Sequence, residues 1–156
     1  MQLLNNCIHS KLSQAKNGFT LIEILISVGI LGVIFGASLF ASLDLYRSYL
    51  FISQRNTLIT MLEKARAQSQ NGINGNAHGV EITPSNFILF SGESYGTRDT
   101  SLDVIFPVDD VIEKSGSSEV VFSAIDANVD AMHEIVLSDS KNSINFRINS
   151  EGGIDW

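Results

Sequence analysis

The sequence predicts an α+β fold: a long N-terminal helix leading into a small antiparallel β-sheet head. Three observations carry this. Residues 24–43 form a run of twenty residues without a charge. A helical apolar stripe continues from there to about Gln70. Beyond it, short apolar segments alternate with polar residues and are separated by Asn, Gly, Pro and Ser turns, the pattern of half-buried strands. The chain has 156 residues, 44% of them hydrophobic, enough for one core, and carries no internal repeat or low-complexity tract.

The apolar run reads ILISVGILGVIFGASLFASL. At about 1.5 Å per residue it spans ~30 Å, the hydrocarbon thickness of a bilayer. A core helix in so small a domain usually keeps a polar stripe, so a single membrane-spanning helix is expected. Residues 1–18 carry Lys11 and Lys16 and no acid. Positive flanks stay in the cytoplasm, which predicts a cytoplasmic N-terminus and an exported C-terminal part. Arg47 and Arg55 follow the helix and make the bias modest. Ala37-Ser38 and Ala41-Ser42 resemble the small-residue cleavage site of a secretory signal, but the apolar run is longer than such signals carry.

Glu23 stands at the head of this run, where an unpaired carboxylate costs ~3 kcal/mol in the membrane interior. A first-turn acid favoured by the helix dipole is the plain reading of such a residue. Its context is Gly18-Phe19-Thr20-Leu21-Ile22-Glu23 followed directly by the apolar helix. This resembles the prepilin cleavage and methylation motif of type IV pilins and of the pseudopilins of type II secretion. The resemblance implies a prepilin peptidase cutting between Gly18 and Phe19 and then methylating the Phe19 amine. Asn17 stands where the family often has a basic residue, with Lys16 before it.

The chemistry suits those roles. Glycine at the cut offers no side chain against close approach of a protease. A new amine at Phe19 and a neighbouring subunit's Glu23 are each costly alone in apolar surroundings and tolerable as a pair. Glu23 is thus expected to set register in assembly, and no catalytic residue is expected. Gly29, Gly32 and Gly36 offer small surfaces for close helix packing, with Gly32 and Gly36 as a G-x-x-x-G pair. Ordinary tolerance of glycine in membrane helices explains them equally well.

In the second half of the helix, residues 44–70, Phe51, Leu58, Leu62 and Ala65 fall on one stripe with Ile59 beside them, and Glu63, Lys64 and Arg66 read as the solvated face. A helix from 19 to 70 would be ~78 Å long, more than a compact fold of this size needs. Residues 71–76, NGINGN, end it with turn-forming Asn-Gly pairs.

The rest reads as strands at 79–83, 87–90, 102–106, 119–123, 134–137 and 143–149, with a short terminal segment at 154–156. In the first, Val80 and Ile82 point inward and Glu81 and Thr83 outward. Residues 134–137 and 143–149 form a hairpin in which Ile144, Phe146 and Ile148 alternate with Asn145, Arg147 and Asn149. Strands following one helix give an antiparallel α+β head.

Composition excludes several functions. With 10 Lys+Arg against 17 Asp+Glu the net charge is −7, which argues against direct nucleic-acid binding. Residues 68–156 alone hold four Lys/Arg and fourteen Asp/Glu. Cys7 is the only cysteine, so neither an internal disulfide nor a zinc cluster is available. No nucleophile elbow, zinc-protease helix or phosphate loop occurs. His9, His78 and His133 lie in unrelated segments. Asp109-Asp110 and Asp126 with Asp130 could take part in a calcium site, though solvated loop acids are the commoner case. Tyr95 and Trp156 read equally as partner contacts or as rim residues. No metal and no cofactor is expected.

The segments Leu62-Glu63-Lys64-Ala65-Arg66, Val120-Val121-Phe122-Ser123 and 148–154 (INSEGGI) resemble, more loosely, the H-type minor pseudopilin subfamily, which includes minor pilins. Many major type IV pilins close the C-terminal region with a disulfide, which a chain without Cys7 lacks. The implied organisation is a leader at 1–18, a transmembrane and assembly helix at 19–43, the amphipathic half of that helix at 44–70, and a β-rich head at 71–156. The implied partners are prepilin peptidase, other pilins or pseudopilins, and an inner-membrane assembly machinery with a separate ATPase. A membrane-anchored adhesin or sensor that does not polymerise is the alternative.

Overall fold

The computed structural model describes residues 18–156. The expected leader, with Cys7, His9, Lys11 and Lys16, lies outside the described residues apart from Gly18. The described residues form one α-helix, α1 (Leu21–Gln70), and eight strands. Its contacts divide it into two units, with the boundary inside α1 between Ser42 and Leu43.

In the first unit α1 opens on Thr20. The Thr20 hydroxyl accepts a hydrogen bond from the Glu23 N–H at 3.3 Å, and the Thr20 carbonyl accepts from the N–H groups of Glu23 and Ile24 at 3.1 and 3.2 Å. Thr-x-x-Glu is the sequence of a capping box. Helix thus begins two residues after the expected Phe19, because the cap residue itself has to leave the helix.

The second unit is an α+β head, as the sequence predicts. It holds two antiparallel sheets where one small sheet was expected. The first has the order β3-β2-β1-β5, from β1 (His78–Ile82), β2 (Asn86–Ser91), β3 (Val104–Pro107) and β5 (Glu119–Phe122). The second has the order β4-β6-β7-β8, from β4 (Glu113–Gly116), β6 (His133–Ser138), β7 (Ser143–Ile148) and β8 (Ile154–Asp155). One core serves both. Phe51, Leu58, Met61, Leu62 and Ala65 of α1 pack with Val80, Ile82, Phe87, Leu89, Val120 and Phe122 of the first sheet and with Ile135, Leu137, Phe146 and Ile148 of the second.

Three local readings are corrected. Arg66 is half-buried, not solvated, and its Nε is buried without a hydrogen-bond partner among the described residues. It lines a concavity with Glu63, Gln70, Ile154 and Trp156. Strand β4 was not expected at all. Its sequence, EKSG, has no alternation, and it is held by backbone pairing to β6, Glu113 opposite Ser138 through Gly116 opposite Ile135. Gly116 sits at φ 95°, and a Cβ there would run into the Glu134 carbonyl, so only glycine fits. β3 also starts two residues later than read, because Leu102 closes a 3₁₀ turn (Thr100–Leu102) whose Ser101 N–H is capped by Asp99.

The outer face of the first sheet is covered by chain. Ile88 and Phe90 alternate away from the core yet are buried. Residues 91–103 fold over them. Tyr95 meets the Phe90 ring edge-on at 5.7 Å, and the Arg98 guanidinium lies 3.6 Å above the Tyr95 ring. Arg98 is anchored to Asp103 at 2.9 Å, and the Tyr95 N–H donates to Glu119 Oε1 at 2.6 Å. Gly79 opposes Phe90, and a Cβ there would lie 2.5 Å from the ring.

Ser69 joins the end of α1 to the first sheet. Fully buried, its hydroxyl donates to the Phe122 carbonyl at 2.8 Å and accepts from the His78 N–H at 2.9 Å. Its carbonyl accepts from the Ile125 N–H at 2.8 Å, holding Ile125 at φ 74°, an unfavourable conformation for a β-branched residue. Ser69→Ala strands a buried donor and a buried acceptor together. It should destabilise the head by about 2–4 kcal/mol, measured by urea unfolding of the detergent-solubilised chain followed by circular dichroism.

His78 is buried beside this joint, facing Ser91 across the β1–β2 pair, and neither its Nδ1 nor the Ser91 hydroxyl has a partner among the described residues. Burial pushes the imidazole below its ordinary value of 6.5, partly offset by a hydrogen bond to the Asn76 backbone. The unfolded chain therefore takes up this proton more readily than the folded one. The contribution of His78 is intact above pH 6.5 and is lost as the pH falls from 6.5 through the lower folded-state value. The difference in unfolding free energy between the wild type and His78→Gln should narrow over that fall, and an unchanged difference would refute it.

Candidate functional site

The motif read from the sequence lies where the chain enters α1. Gly18, Phe19 and Thr20 are non-helical and exposed, Phe19 to 78%. A Cβ at Gly18 would meet nothing within 4 Å, so the backbone is open to an enzyme that must bind it in extended form. Glu23 occupies the first turn of α1 and is exposed. Among the described residues no hydrogen bond or ion pair engages its carboxylate.

The apolar helix behind it is uncovered. Leu21–Ser38 has a mean hydropathy of 2.3, and none of it is buried. Eleven large apolar side chains from Leu21 to Phe35 are each more than half exposed. At ~1 kcal/mol or more each, their hydration costs on the order of 10 kcal/mol, as much as an entire domain's net stability. This is the one helix among the described residues long and apolar enough to cross a membrane. Polar groups within it are satisfied locally: Ser27 and Ser38 donate to the carbonyls of Glu23 and Ile34 at 2.7 and 2.8 Å.

Gly29, Gly32 and Gly36 fall within ~60° of one another around the helix at 100° per residue. A Cβ at any of them would meet nothing within 4 Å, so the small surface serves no packing among the described residues.

The head brings other acids together. A depression of about 550 Å³ is lined by Glu93, Glu119, Asp130 and His133 among others. Three of these groups are already engaged. His133 Nε2 lies 2.9 Å from Asp130, whose carboxyl is held below the usual range chiefly by that bond. Glu119 holds the Tyr95 N–H. Asp109, named above for calcium, accepts from the Val111 N–H at 3.0 Å in a turn. No group of three or more His, Cys, Asp or Glu able to hold a metal occurs among the described residues. Trp156 is exposed to 56%, whereas Tyr95 is the half-buried cover of Phe90.

Sequence reasoning missed Thr20, whose hydroxyl starts the helix. The signal was present, since Thr20 precedes Glu23 by the capping-box interval.

Comparison with known proteins bears on this segment. A family model described as the prokaryotic N-terminal methylation motif matches residues 13–39. No curated protein and no solved structure matches the chain. The match spans the expected cut, Glu23 and the apolar run as far as residue 39. It supports a chain of the type IV pilin and pseudopilin kind, a substrate of prepilin peptidase anchored by a single apolar helix.

Proposed function

We propose that this protein is a non-enzymatic structural subunit, a minor pilin or pseudopilin that polymerises through its N-terminal helix. The observation that carries the reading is the segment Gly18–Phe19–Thr20–Leu21–Ile22–Glu23 at the head of a helix that its own chain leaves uncovered. The precursor inserts with its N-terminus in the cytoplasm and its β-rich head outside. Prepilin peptidase removes residues 1–18 and methylates Phe19. Residues 19–43 then anchor and polymerise, residues 44–70 support the head, and residues 71–156 form it. Inner-membrane machinery driven by a separate ATPase extracts the subunit into a type II secretion pseudopilus or a type IV pilus. The tail segments favour the H-type minor pseudopilins within that choice.

In assembly, the Phe19 amine of one subunit meets Glu23 of its neighbour. Pairing removes two separate desolvation costs, each of several kcal/mol in apolar surroundings. Gly29, Gly32 and Gly36 give neighbouring helices close approach.

Mass spectrometry of the membrane-extracted protein should find an N-terminal N-methylated Phe19. An intact Met1, or cleavage after Ala41, would remove the reading. Glu23→Ala should be processed and inserted normally but enter filaments about tenfold less, a loss of ~1.4 kcal/mol, scored by crosslinking to other motif-bearing proteins. Absence of such crosslinks in the wild type would favour the non-polymerising binding head.

A further inference from the structure

The sheet edges of the head are not alike. A strand edge offers unpaired N–H and C=O groups to any passing strand, and proteins block this with charge, brevity or cover. β5 carries Glu119, β4 carries Glu113 and Lys114, and β8 has only two residues and includes Asp155. β3, Val-Ile-Phe-Pro, has no charge, and all four of its residues are exposed. Its backbone pairs with β2 on one side, from Leu89 opposite Val104 to Asn86 opposite Pro107. Among the described residues nothing pairs with its other side. Pro107 ends the strand, leaving 104–106 as the free length.

A groove runs along this edge. Phe106 shares its sheet face with its register partner Phe87, yet Phe106 is 39% exposed and Phe87 fully buried. Between Phe106 and α1 lies a space of about 370 Å³ lined by Tyr49, Ile52, Asn56, Thr57 and Met61 among others, with no charged residue. On the other face Ile105 is 57% exposed. The nearest flanking charge is withdrawn, since Asp103 is held by Arg98 at 2.9 Å and its side chain is 8% exposed.

We infer that the β3 edge is a strand-addition site for an extended, uncharged, apolar segment of another protein. The free edge supplies main-chain hydrogen bonds, and the groove takes alternate side chains of the incoming strand. Charge selects the occupant: a charged segment would lose hydration here without gaining a partner. A second copy is disfavoured because each chain carries a net charge of −7. This site owes nothing to the N-terminal motif, and it stands whether or not the chain polymerises.

The test uses the full chain in detergent and a capped, fluorescein-labelled hexapeptide alternating valine with threonine, read by anisotropy. Saturable binding is expected. It should be abolished when alternate peptide amides are N-methylated, which preserves apolar character but removes donors. Ile105→Lys should weaken binding about tenfold or more, with an unchanged unfolding midpoint, because the side chain points to solvent. Phe106→Ala should weaken it through the groove, while Ser115→Lys on β4 should leave it unchanged. Absence of binding, or equal binding of the N-methylated peptide, overturns the proposal. So does wild-type self-association that Ile105→Lys reverses, which would make a second copy the occupant.

Discussion

One helix in this protein has to satisfy two solvents. From Ile24 to Ser38 the side chains of α1 are uncharged and apolar but for two serines, and no other described residue covers them. From Phe51 onward only one stripe is apolar, and it is buried to completion at Leu58, Leu62 and Ala65. The first pattern is stable in a bilayer or among other apolar helices, the second only against a core in water. Both patterns lie in one element, α1 (Leu21–Gln70). The head is organised around that second half, which supplies five of the residues of its core.

Covering a sheet on both faces in so short a chain explains much of the loop chemistry. α1 takes the inner face of the first sheet. Among the described residues no second helix covers the outer face, where Ile88 and Phe90 lie, and residues 91–103 take its place. A loop can do this only if its own polar groups are satisfied. Here Tyr95 contributes its ring to Phe90 and its N–H to Glu119, and Arg98 stacks on that ring while binding Asp103 and the Tyr95 carbonyl. The same arrangement consumes the charges that would otherwise guard β3. The uncharged edge is thus a consequence of how the sheet's outer face is covered.

What could be read from the sequence follows from the range of the interactions. Residues 143–149 alternate cleanly because one face of β7 is buried and the other wet. The continuous apolar run Phe87–Phe90 marks a strand buried on both faces, but nothing in it says that a loop supplies one of the covers. β4 was illegible because its pairing uses backbone alone and its glycine is required by a contact with β6. Ser69 escaped notice for a related reason: the carbonyl that it bonds is 53 residues away, and a polar residue in a helix gives no sign of being buried. The N-terminal segment was legible because its chemistry is local, six residues followed by an apolar run. The β3 site is the opposite case, defined by what fails to cover a strand.

Thr20 connects the motif to the helix. Cleavage between Gly18 and Phe19 would place a cation one residue before the helix cap. Had the helix begun upstream of the cut, proteolysis would have removed its first turn and freed its N–H groups in an apolar setting, where each costs several kcal/mol. The cap would lie on the retained side of that cut. Thr20 holds the Glu23 N–H through its hydroxyl and its carbonyl, so the first turn is capped from within residues 20–24. The same turn fixes Glu23 at the helix N-terminus, where the macrodipole favours its charge. An unpaired carboxylate is therefore least costly at this position, and under the proposed function the cut would leave the helix start intact for assembly.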